Sequence, residues 1–394
     1  MKGGFGVDLQ LIPKRTRAEI DLDAVRYNFN AVKARIGAAK ICCVVKANAY
    51  GHGAVRLARI YESLGADFLA VSGIEEAMQL RRAKIGLPIL ILGYTDPACA
   101  ALLSSQNISQ CVFSAAYGDA LADCAADQGV RVKIHIKLDT GMGRIGFLCD
   151  ELADAVHICK HPSLIPEGIF THFSSASDGE AGESFTSRQL ALFEDAVSYF
   201  LTNGVDFSIR HAANSGAVLD YPNTHFDMVR AGILLYGYPS SNELRQALEL
   251  KPVLKLKTTV VHIKQIRQGD TVGYGRAFVA DRDMTVATLP IGYADGFARS
   301  NRLTMPFMEV QGRPAPIVGG ICMDQCVIDI SDIPGVAVGA SVTVYGEMPY
   351  NSISAVAARN QTIPYEILCS IGERVPRIYL KDGHVVEIVD NLLD

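Results

Sequence analysis

Side chains that can take part in covalent or acid–base chemistry follow several short apolar runs in the sequence. Lys46 comes directly after the run Ile41–Val45. An amine that apolar neighbours keep from water has a lowered pKa and can attack a carbonyl. Polar residues also end or follow four later runs: the segment "DTGMGR" (Asp139–Arg144), His172, Asn214 with Ser215, and Arg230. Taken singly, each solvates a strand end; as a set, they indicate one reactive site.

Eight apolar runs recur through the first two thirds of the chain, and these must position the polar residues. Each run is continuous rather than alternating, which is typical of strands buried on both faces. They are 41–47, 68–73, 88–93, 110–115, 132–139, 168–174, 208–215 and a short run from Met228. Stretches with helical spacing separate most of them, such as Val25–Ile36 with Asp23 as a candidate cap and Gly37 as the stop. This alternation predicts a (β/α)8 barrel, with a doubly wound open sheet as the alternative.

The pattern changes after about Leu250 to β-branched, partly alternating segments separated by Gly, Pro and Asp turns. Such a texture predicts an all-β domain. We expect the barrel at residues 19–249 and the β domain at 250–394, joined by an N-terminal strand from the 1–18 region. The segment "RTRAEIDLDA" carries that strand pattern ahead of the first helix.

Composition excludes several classes of protein. Nearly half of the 394 residues are apolar and a fifth are charged, as in globular proteins with sizeable cores. The net charge is −5 without a long basic run, so nucleic acid is not an expected partner. We find no membrane-length apolar stretch and no signal-peptide pattern, and expect a cytoplasmic protein. The ten cysteines lack the spacing of a zinc site, and we expect reduced thiols and no metal.

In a barrel, the C-terminal ends of the strands carry the chemistry, and the polar residues above all fall there. Schiff-base formation with pyridoxal 5'-phosphate (PLP) is the commonest use of a reactive lysine in amino-acid enzymes. A phosphate also needs a cradle, and barrels commonly build one after strands seven and eight. "NSG" at Asn214–Gly216 and "RAGI" at Arg230–Ile233 supply a hydroxyl and backbone amides at those two places.

Motifs along nearly the whole chain resemble, in family order, those of the alanine racemases. The motifs are "VVKANAYGHG", "KLDTGMGRIGF", "THFSSASD", "AANSGA", "VRAGILLYG", "VGYGRAF", "LPIGYADGF", "GGICMDQCVID" and "PYEILCSIGERVPR". The resemblance implies a PLP-binding (β/α)8 barrel followed by a β domain. It also implies a homodimer whose partner subunits complete each other's sites.

The same resemblance implies a role for each matching residue. Lys46 would carry PLP and act as one base, and Tyr274, from the partner subunit, would be the opposite base. His172 and Arg230 would form a hydrogen-bonded chain with that tyrosine, and Arg230 would contact the pyridine nitrogen. The other cofactor contacts implied are Tyr50, Asn214, Ser215, Gly232, Ile233 and Tyr365, most of them to the phosphate.

The resemblance also extends to the substrate. Arg144 would contact the PLP phenolic oxygen and the substrate carboxylate, with the Met323 amide as a second donor. Lys137 matches a lysine that many relatives carry as a carbamate. Tyr293 and Asp324 would lie at the site entrance. These assignments imply an isomerase that supplies D-alanine to cell-wall peptidoglycan.

Three alternatives stay open at the level of sequence. The first is a serine or broader-specificity racemase; the membrane-anchored serine racemases carry an extra membrane domain and an asparagine where this chain has Tyr365. The second is a barrel-fold PLP decarboxylase of basic amino acids, whose ring-nitrogen partner is acidic rather than Arg230. The third is a non-catalytic PLP carrier, whose relatives lack the β domain.

Overall fold

A computed structural model describes residues 15–393 of the chain. These residues form two compact units, one containing 25–49 and 54–251 and the other containing 15–24, 50–53 and 252–393. Of the region 1–18, from which an N-terminal strand is predicted, residues 1–14 lie outside the described part. Strands and helices are numbered below in chain order.

The first unit is the predicted barrel of eight parallel strands with helices between them. Its strands are β2 Lys40–Val44, β3 Phe68–Val71, β4 Ile89–Ile91, β5 Ile108–Val112, β6 Val132–Lys137, β7 Leu164–Phe170, β8 Ile209–His211 and β9 Met228–Ala231. They pair in the order β8-β7-β6-β5-β4-β3-β2-β9. Backbone bonds from Asp227 N to Arg210 O (3.1 Å) and from Arg230 N to Ala213 O (3.0 Å) close the ring.

Helices follow the strands as the apolar spacing predicts. They are α1 Leu22–Ile36, α3 Ala54–Ser63, α4 Ile74–Arg82, α5 Ala100–Ser105, α6 Ala115–Asp127, α7 Leu152–Cys159, α8 Glu183–Thr202 and α9 Ser215–Asp220. The cap of α1 is Asp21 rather than Asp23. Its Oδ1 accepts from the N–H groups of Asp23 (2.8 Å) and Ala24 (3.0 Å), which only the residue just before the helix can do. Gly37, at φ +60°, ends the helix as predicted.

The element between β2 and α3 is unusual. Lys46–Tyr50 forms α2, a single turn in which Ala47, Asn48, Ala49 and Tyr50 all have φ of 51–53°. Left-handed backbone costs an L-residue roughly 1–2 kcal/mol. Such a turn therefore persists only where its surroundings fix it. The Ala49 N–H donates to the Val45 carbonyl (2.8 Å), and the Asn48 side chain accepts from the Ala54 N–H (2.8 Å).

The second unit is built on a sheet of ten strands. They pair in the order β11-β14-β17-β16-β15-β18-β10-β1-β19-β20, and β12 and β13 form a separate two-stranded ribbon. The bounds are β1 Arg17–Asp21, β10 Leu254–Thr259, β11 His262–Ile266, β12 Thr271–Val272, β13 Phe278–Val279, β14 Met284–Leu289, β15 Phe307–Val310, β16 Arg313–Val318, β17 Cys326–Asp329, β18 Ser341–Tyr345, β19 Arg377–Lys381 and β20 His384–Val389. Strand β1 runs antiparallel to β10 and parallel to β19.

The second unit is mostly β, as expected, yet three short helices interrupt it. They are α10 Asn301–Thr304, α11 Ile353–Arg359 and α12 Pro364–Cys369. Local sequence explains two of them, because the Ser352 side chain caps α11 and Pro364 begins α12. Within residues 15–393, no helix combines the length and apolar character that crossing a membrane requires.

Candidate active site

The residues singled out from the sequence fall in both units. In the barrel unit lie Lys46, Lys137, Arg144, His172, Asn214, Ser215, Arg230, Gly232 and Ile233; in the second unit lie Tyr50, Tyr274, Tyr293, Met323, Asp324 and Tyr365. Each group is described within its own unit.

Arg230 on β9 is buried and its guanidinium is held from several sides. Nη1 donates to His211 Nδ1 (2.9 Å) and to the His211 carbonyl (3.1 Å). Nη2 donates to the carbonyls of Thr171 (2.8 Å) and Ala212 (3.0 Å) and lies 3.3 Å from His172 Nδ1. The terminal nitrogens thus have partners, whereas no described residue accepts from the Nε–H. That N–H group is a donor available to a ligand.

His172 lies where four cations converge. Burial lowers the pKa of His172 well below its ordinary value, and the charges of Arg230, Arg144, Lys137 and Lys46 lower it further. The ring is therefore neutral at neutral pH. Because arginine cannot accept a hydrogen bond, Nδ1 of His172 is the acceptor, and the ring proton lies on Nε2. His172 can then donate this proton in a hydrogen bond to an oxygen atom.

Lys46 begins the left-handed turn α2 rather than ending a strand, because β2 stops at Val44. Glu76 on α4 fixes this position. Its Oε1 accepts from the Ala47 N–H (2.6 Å), and its Oε2 accepts from the Ser72 N–H (2.7 Å). One carboxylate thus ties the residue after Lys46 to the loop after β3. The sequence reasoning missed Glu76, since a glutamate in the first turn of a helix has no distinguishing signal.

The loop "DTGMGR" is folded around its first residue. The Asp139 carboxylate accepts from the backbone N–H groups of Gly141 (2.9 Å), Gly143 (3.0 Å) and Arg144 (3.1 Å). Burial alone would raise the pKa of Asp139, but these N–H groups and the Lys137 charge bring it below its ordinary value. The ionised carboxylate therefore holds the loop that carries Arg144.

Lys137 ends β6 inside the barrel. Its Nζ donates to the Leu138 carbonyl (2.5 Å) and lies 5.7 Å from the centre of the Phe170 ring. Burial lowers the pKa of Lys137 to about 8, with the Arg230 and Arg144 charges acting in the same direction. An appreciable fraction of this amine is therefore neutral near pH 7.

A hydrogen bond joins the loops after β8 and β9, where the sequence predicts a phosphate cradle. The Ser215 hydroxyl accepts from the Gly232 N–H (3.0 Å). Asn214 caps α9, its Oδ1 accepting from the Ala217 N–H (3.1 Å), and its Nδ2 donates to the Phe173 carbonyl (3.0 Å). Asn214 therefore shapes the loop. Ile233 follows Gly232 and is buried.

Tyr274, predicted to act from a partner subunit, is largely exposed in the second unit, and so are Met323 and Tyr293. Tyr274 is 77% exposed, Met323 53% and Tyr293 43%. Tyr293 and Met323 lie in neighbouring loops, because the Tyr293 N–H donates to the Cys322 carbonyl and the Ala294 N–H to that of Met323 (both 3.1 Å). These side chains present aromatic and apolar surface to solvent, an arrangement that commonly marks an interaction surface.

Asp324 and two tyrosines complete the predicted set. Asp324 accepts from Arg374 Nη2 (2.8 Å), and the same guanidinium donates through Nε to buried Asp295 (2.8 Å). The rings of Tyr50 and Tyr365 lie 5.6 Å apart. Burial raises the pKa of both phenols, so both stay protonated and are hydrogen-bond donors at neutral pH. Among residues 15–393, no group of three or more His, Cys, Asp or Glu side chains is arranged to hold a metal.

Two family models match the chain in sequence order. "Alanine racemase, N-terminal domain" matches residues 20–240, and "Alanine racemase, C-terminal domain" matches residues 253–379. Together these two matches cover most of the chain.

Individual relatives agree with these matches. The chain is 44% identical to alanine racemase 1 of Clostridium acetobutylicum over 376 residues, which is 94% of this chain and 97% of the relative. It is 42% identical to the alanine racemase of Desulfovibrio desulfuricans, covering 92% and 98% of the two chains. Among solved structures, the alanine racemase of Clostridium difficile 630 superposes with a TM-score of 0.92 at 36% identity, covering 97% and 100%. The alanine racemase of Bacillus anthracis with bound L-Ala-P superposes with a TM-score of 0.90 at 38% identity, covering 96% of this chain and 98% of that structure.

Proposed function

The chain belongs to the alanine racemase family, and from this premise we propose that it interconverts L-alanine and D-alanine with PLP as cofactor. The product D-alanine would supply cell-wall peptidoglycan. The observation that carries the proposal is a cationic cluster at His172: Arg230 Nη2 lies 3.3 Å from His172 Nδ1, and the charges of Arg144, Lys137 and Lys46 also lower the pKa of this ring. Such a cluster suits a ligand that carries a phosphate and a carboxylate.

The donors present fit PLP. The unused Nε–H of buried Arg230 suits an acceptor without a proton, such as a pyridine nitrogen. The Ser215 hydroxyl and the backbone at Gly232 and Ile233 would hold the phosphate, with the protonated phenols of Tyr50 and Tyr365 as further donors. PLP, when bound, withdraws electrons from the α-carbon of the amino acid and so makes its hydrogen acidic.

Racemisation requires removal of the α-hydrogen from one face and delivery of a proton to the other. Lys46 Nζ would serve one face and the phenolic oxygen of Tyr274 the other. A phenol with a reference pKa of about 10 becomes an effective base only where donors stabilise its phenolate. The Nε2–H of His172 is such a donor, because Arg230 fixes the tautomer of that ring.

Arg144 and the Met323 amide would hold the substrate carboxylate, with Tyr293 and Asp324 at the entrance. Tyr274 would act from the partner subunit of a homodimer. Its 77% exposure in a single chain supports this, because a base requires shielding from bulk water, which a partner subunit would provide. Tyr293 and Met323, in neighbouring loops, are exposed as well.

Lys137 is expected to react with carbon dioxide. A pKa of about 8 leaves roughly a tenth of the amine neutral at pH 7. The neutral amine would attack CO2 and release one proton, giving a carbamate that accepts from Arg144. The active protein should gain the mass of one CO2 under native conditions, and more of it as pH rises through 8. Lys137→Met should lose that mass and raise the KM for alanine about tenfold, because Arg144 loses its counterion.

Lys133→Met is the matched control for this prediction, since Lys133 lies on the same face of β6 and is 37% exposed. It should keep both the adduct and the wild-type KM. An active protein whose Lys137 is unmodified in a bicarbonate-containing sample would contradict the prediction.

The function is tested by comparing substrates. We expect L-alanine to be racemised faster than L-serine or L-lysine by about tenfold or more, because Tyr365 packed beside Tyr50 would leave room for little beyond a methyl group. Polarimetry and chiral chromatography of each amino acid measure this. Faster turnover of serine or lysine would favour a broader racemase, and release of CO2 from a basic amino acid would indicate a decarboxylase.

A further inference from the structure

The barrel interior contains a run of polar side chains where branched apolar residues are usual. Oε2 of Glu167, on β7, lies 3.2 Å from His135 Nε2. His135 Nδ1 lies 2.9 Å from His211 Nε2, and His211 Nδ1 lies 2.9 Å from Arg230 Nη1. Both histidines are fully buried. The four side chains therefore form one continuous hydrogen-bonded chain, named here the interior relay.

The two ends of the interior relay fix every hydrogen bond in it. Arg230 can only donate, so Nδ1 of His211 accepts and its proton lies on Nε2. That proton is donated to His135 Nδ1, so the proton of His135 also lies on Nε2 and is donated to Glu167. An ionised carboxylate can only accept, which matches the direction imposed by Arg230. If either ring carried a second proton, both of its nitrogens would be donors, and one of them would point its N–H at the N–H of a neighbouring side chain.

The charge states agree with this direction. Burial would raise the pKa of Glu167, but hydrogen bonds from His135, Ser109 (2.5 Å) and Lys133 bring it to about 2. Burial lowers the pKa of His135 and of His211. The interior relay therefore holds one negative charge at Glu167 and one positive charge at Arg230, with two neutral rings between them.

The backbone is shaped around the interior relay. The β6–β7 register shifts between Ile134 and His135, so that Glu167 has no partner residue and bulges from β7. The next residue is Gly168, where a Cβ would lie 2.4 Å from His135 Nδ1. Phe170 stacks on His211 with ring centres 4.7 Å apart and planes within 6°. A bulge, a glycine and an aromatic ring thus fix the positions of Glu167, His135 and His211.

We propose that Glu167, His135 and His211 are positioning residues, which fix the tautomer facing Arg230 and thereby hold its guanidinium so that Nε–H stays available to a ligand. The role of that ligand rests on the function proposed above. The direction of the hydrogen bonds does not, because it follows from the protein's own side chains.

The first test uses the wild-type holoenzyme labelled with 15N at histidine. Two-bond 1H–15N correlation spectra distinguish the two neutral tautomers and the protonated ring. We expect His135 and His211 both to carry the proton on Nε2 near neutral pH, with assignments taken from single histidine variants. A proton on Nδ1 of either ring, or a doubly protonated ring, overturns the proposal without any variant having to fold.

The second test compares two replacements of similar volume. His135→Gln keeps an acceptor toward His211 and a donor toward Glu167, whereas His135→Met keeps neither. We expect kcat/KM to fall about tenfold or more in His135→Met, a loss like that seen when the hydrogen-bond partners of metal-binding histidines are removed. In His135→Gln, kcat/KM should stay much closer to the wild-type value. In His135→Met the spectra should also show His211 no longer held as a single tautomer.

Lys133→Met is the control, because Lys133 contacts Glu167 Oε1 (3.1 Å) but takes no part in the chain of rings. It should leave the tautomers and kcat/KM unchanged. Equal activity in the two His135 variants with an unchanged His211 spectrum would overturn the proposal. A wild-type protein without racemase activity, yet with both rings protonated on Nε2, would instead refute the proposed function and leave the interior relay intact.

Discussion

Replacing Lys46 with alanine is expected to lower racemase activity by about 10³-fold or more, since one residue would supply both the attachment amine and a base. The band near 420 nm, about where a Schiff base of PLP absorbs, should disappear in the same variant. The Glu76 carboxylate accepts from the N–H of Ala47, the residue after Lys46, and so holds the backbone that carries this amine in one place. Absorbance and racemisation are measured on the same sample.

Lys40→Ala is the matched control for Lys46→Ala. Lys40 is the exposed first residue of β2, the strand that ends two residues before Lys46. It should keep the absorbance band and the activity. Added methylamine should restore part of the activity of Lys46→Ala, since a small free amine can take the vacated position. A Lys46→Ala protein that is active within about tenfold of wild type would show that the reactive amine lies elsewhere.

Replacing Tyr274 with phenylalanine is expected to lower racemisation by about 10²–10⁴-fold, the usual contribution of a positioned acid or base. One face of the substrate would still meet Lys46. The variant should therefore exchange the α-hydrogen of one enantiomer with deuterium from D2O while the configuration is retained. Mass spectrometry combined with chiral separation measures exchange and inversion separately. Inversion at the wild-type rate would mean that Tyr274 is not a base.

Mixing the two inactive variants tests the homodimer. If Tyr274 acts across the subunit boundary, a dimer of Lys46→Ala with Tyr274→Phe has one site with both bases and one with neither. Random pairing after reversible dissociation should then restore about a quarter of the wild-type activity, because half of the dimers are mixed and each has one working site. No recovery from mixed dimers that are demonstrably formed would place Tyr274 in the same chain's site.

The strands were predictable from sequence because a strand that is buried on both faces is a continuous run of apolar residues. Strands β3 and β4 are buried throughout and lie within the predicted runs 68–73 and 88–93, whereas β5 begins two residues before the predicted run 110–115. The end of the first run was less accurate, since β2 stops at Val44 and the left-handed turn begins at Lys46. In "KANAY" only Asn48 is of a type that adopts left-handed backbone readily, so a run of four such residues depends on contacts with residues distant in sequence.

The interior relay shows which part of a site the sequence conceals. His135 and Lys137 are two residues apart on β6, so their shared face could have been read from the alternation of a strand. The position of Glu167 could not be predicted in this way, because it depends on the bulge in β7. Tyr274 posed a different difficulty, since its isolated sequence context, between two glycines, is that of an ordinary surface turn.

The left-handed turn at Lys46 also has a consequence for biogenesis. Its backbone is secured by Glu76, which itself requires β3 and α4 to be in place, and by the bond that the Asn48 side chain accepts from the Ala54 N–H at the start of α3. A partly assembled barrel lacks these anchors, so a nascent chain would display its lysine on relaxed, mobile backbone. PLP would then attach only after the barrel has folded. Cells short of vitamin B6 would accumulate folded barrels without PLP rather than partly folded chains.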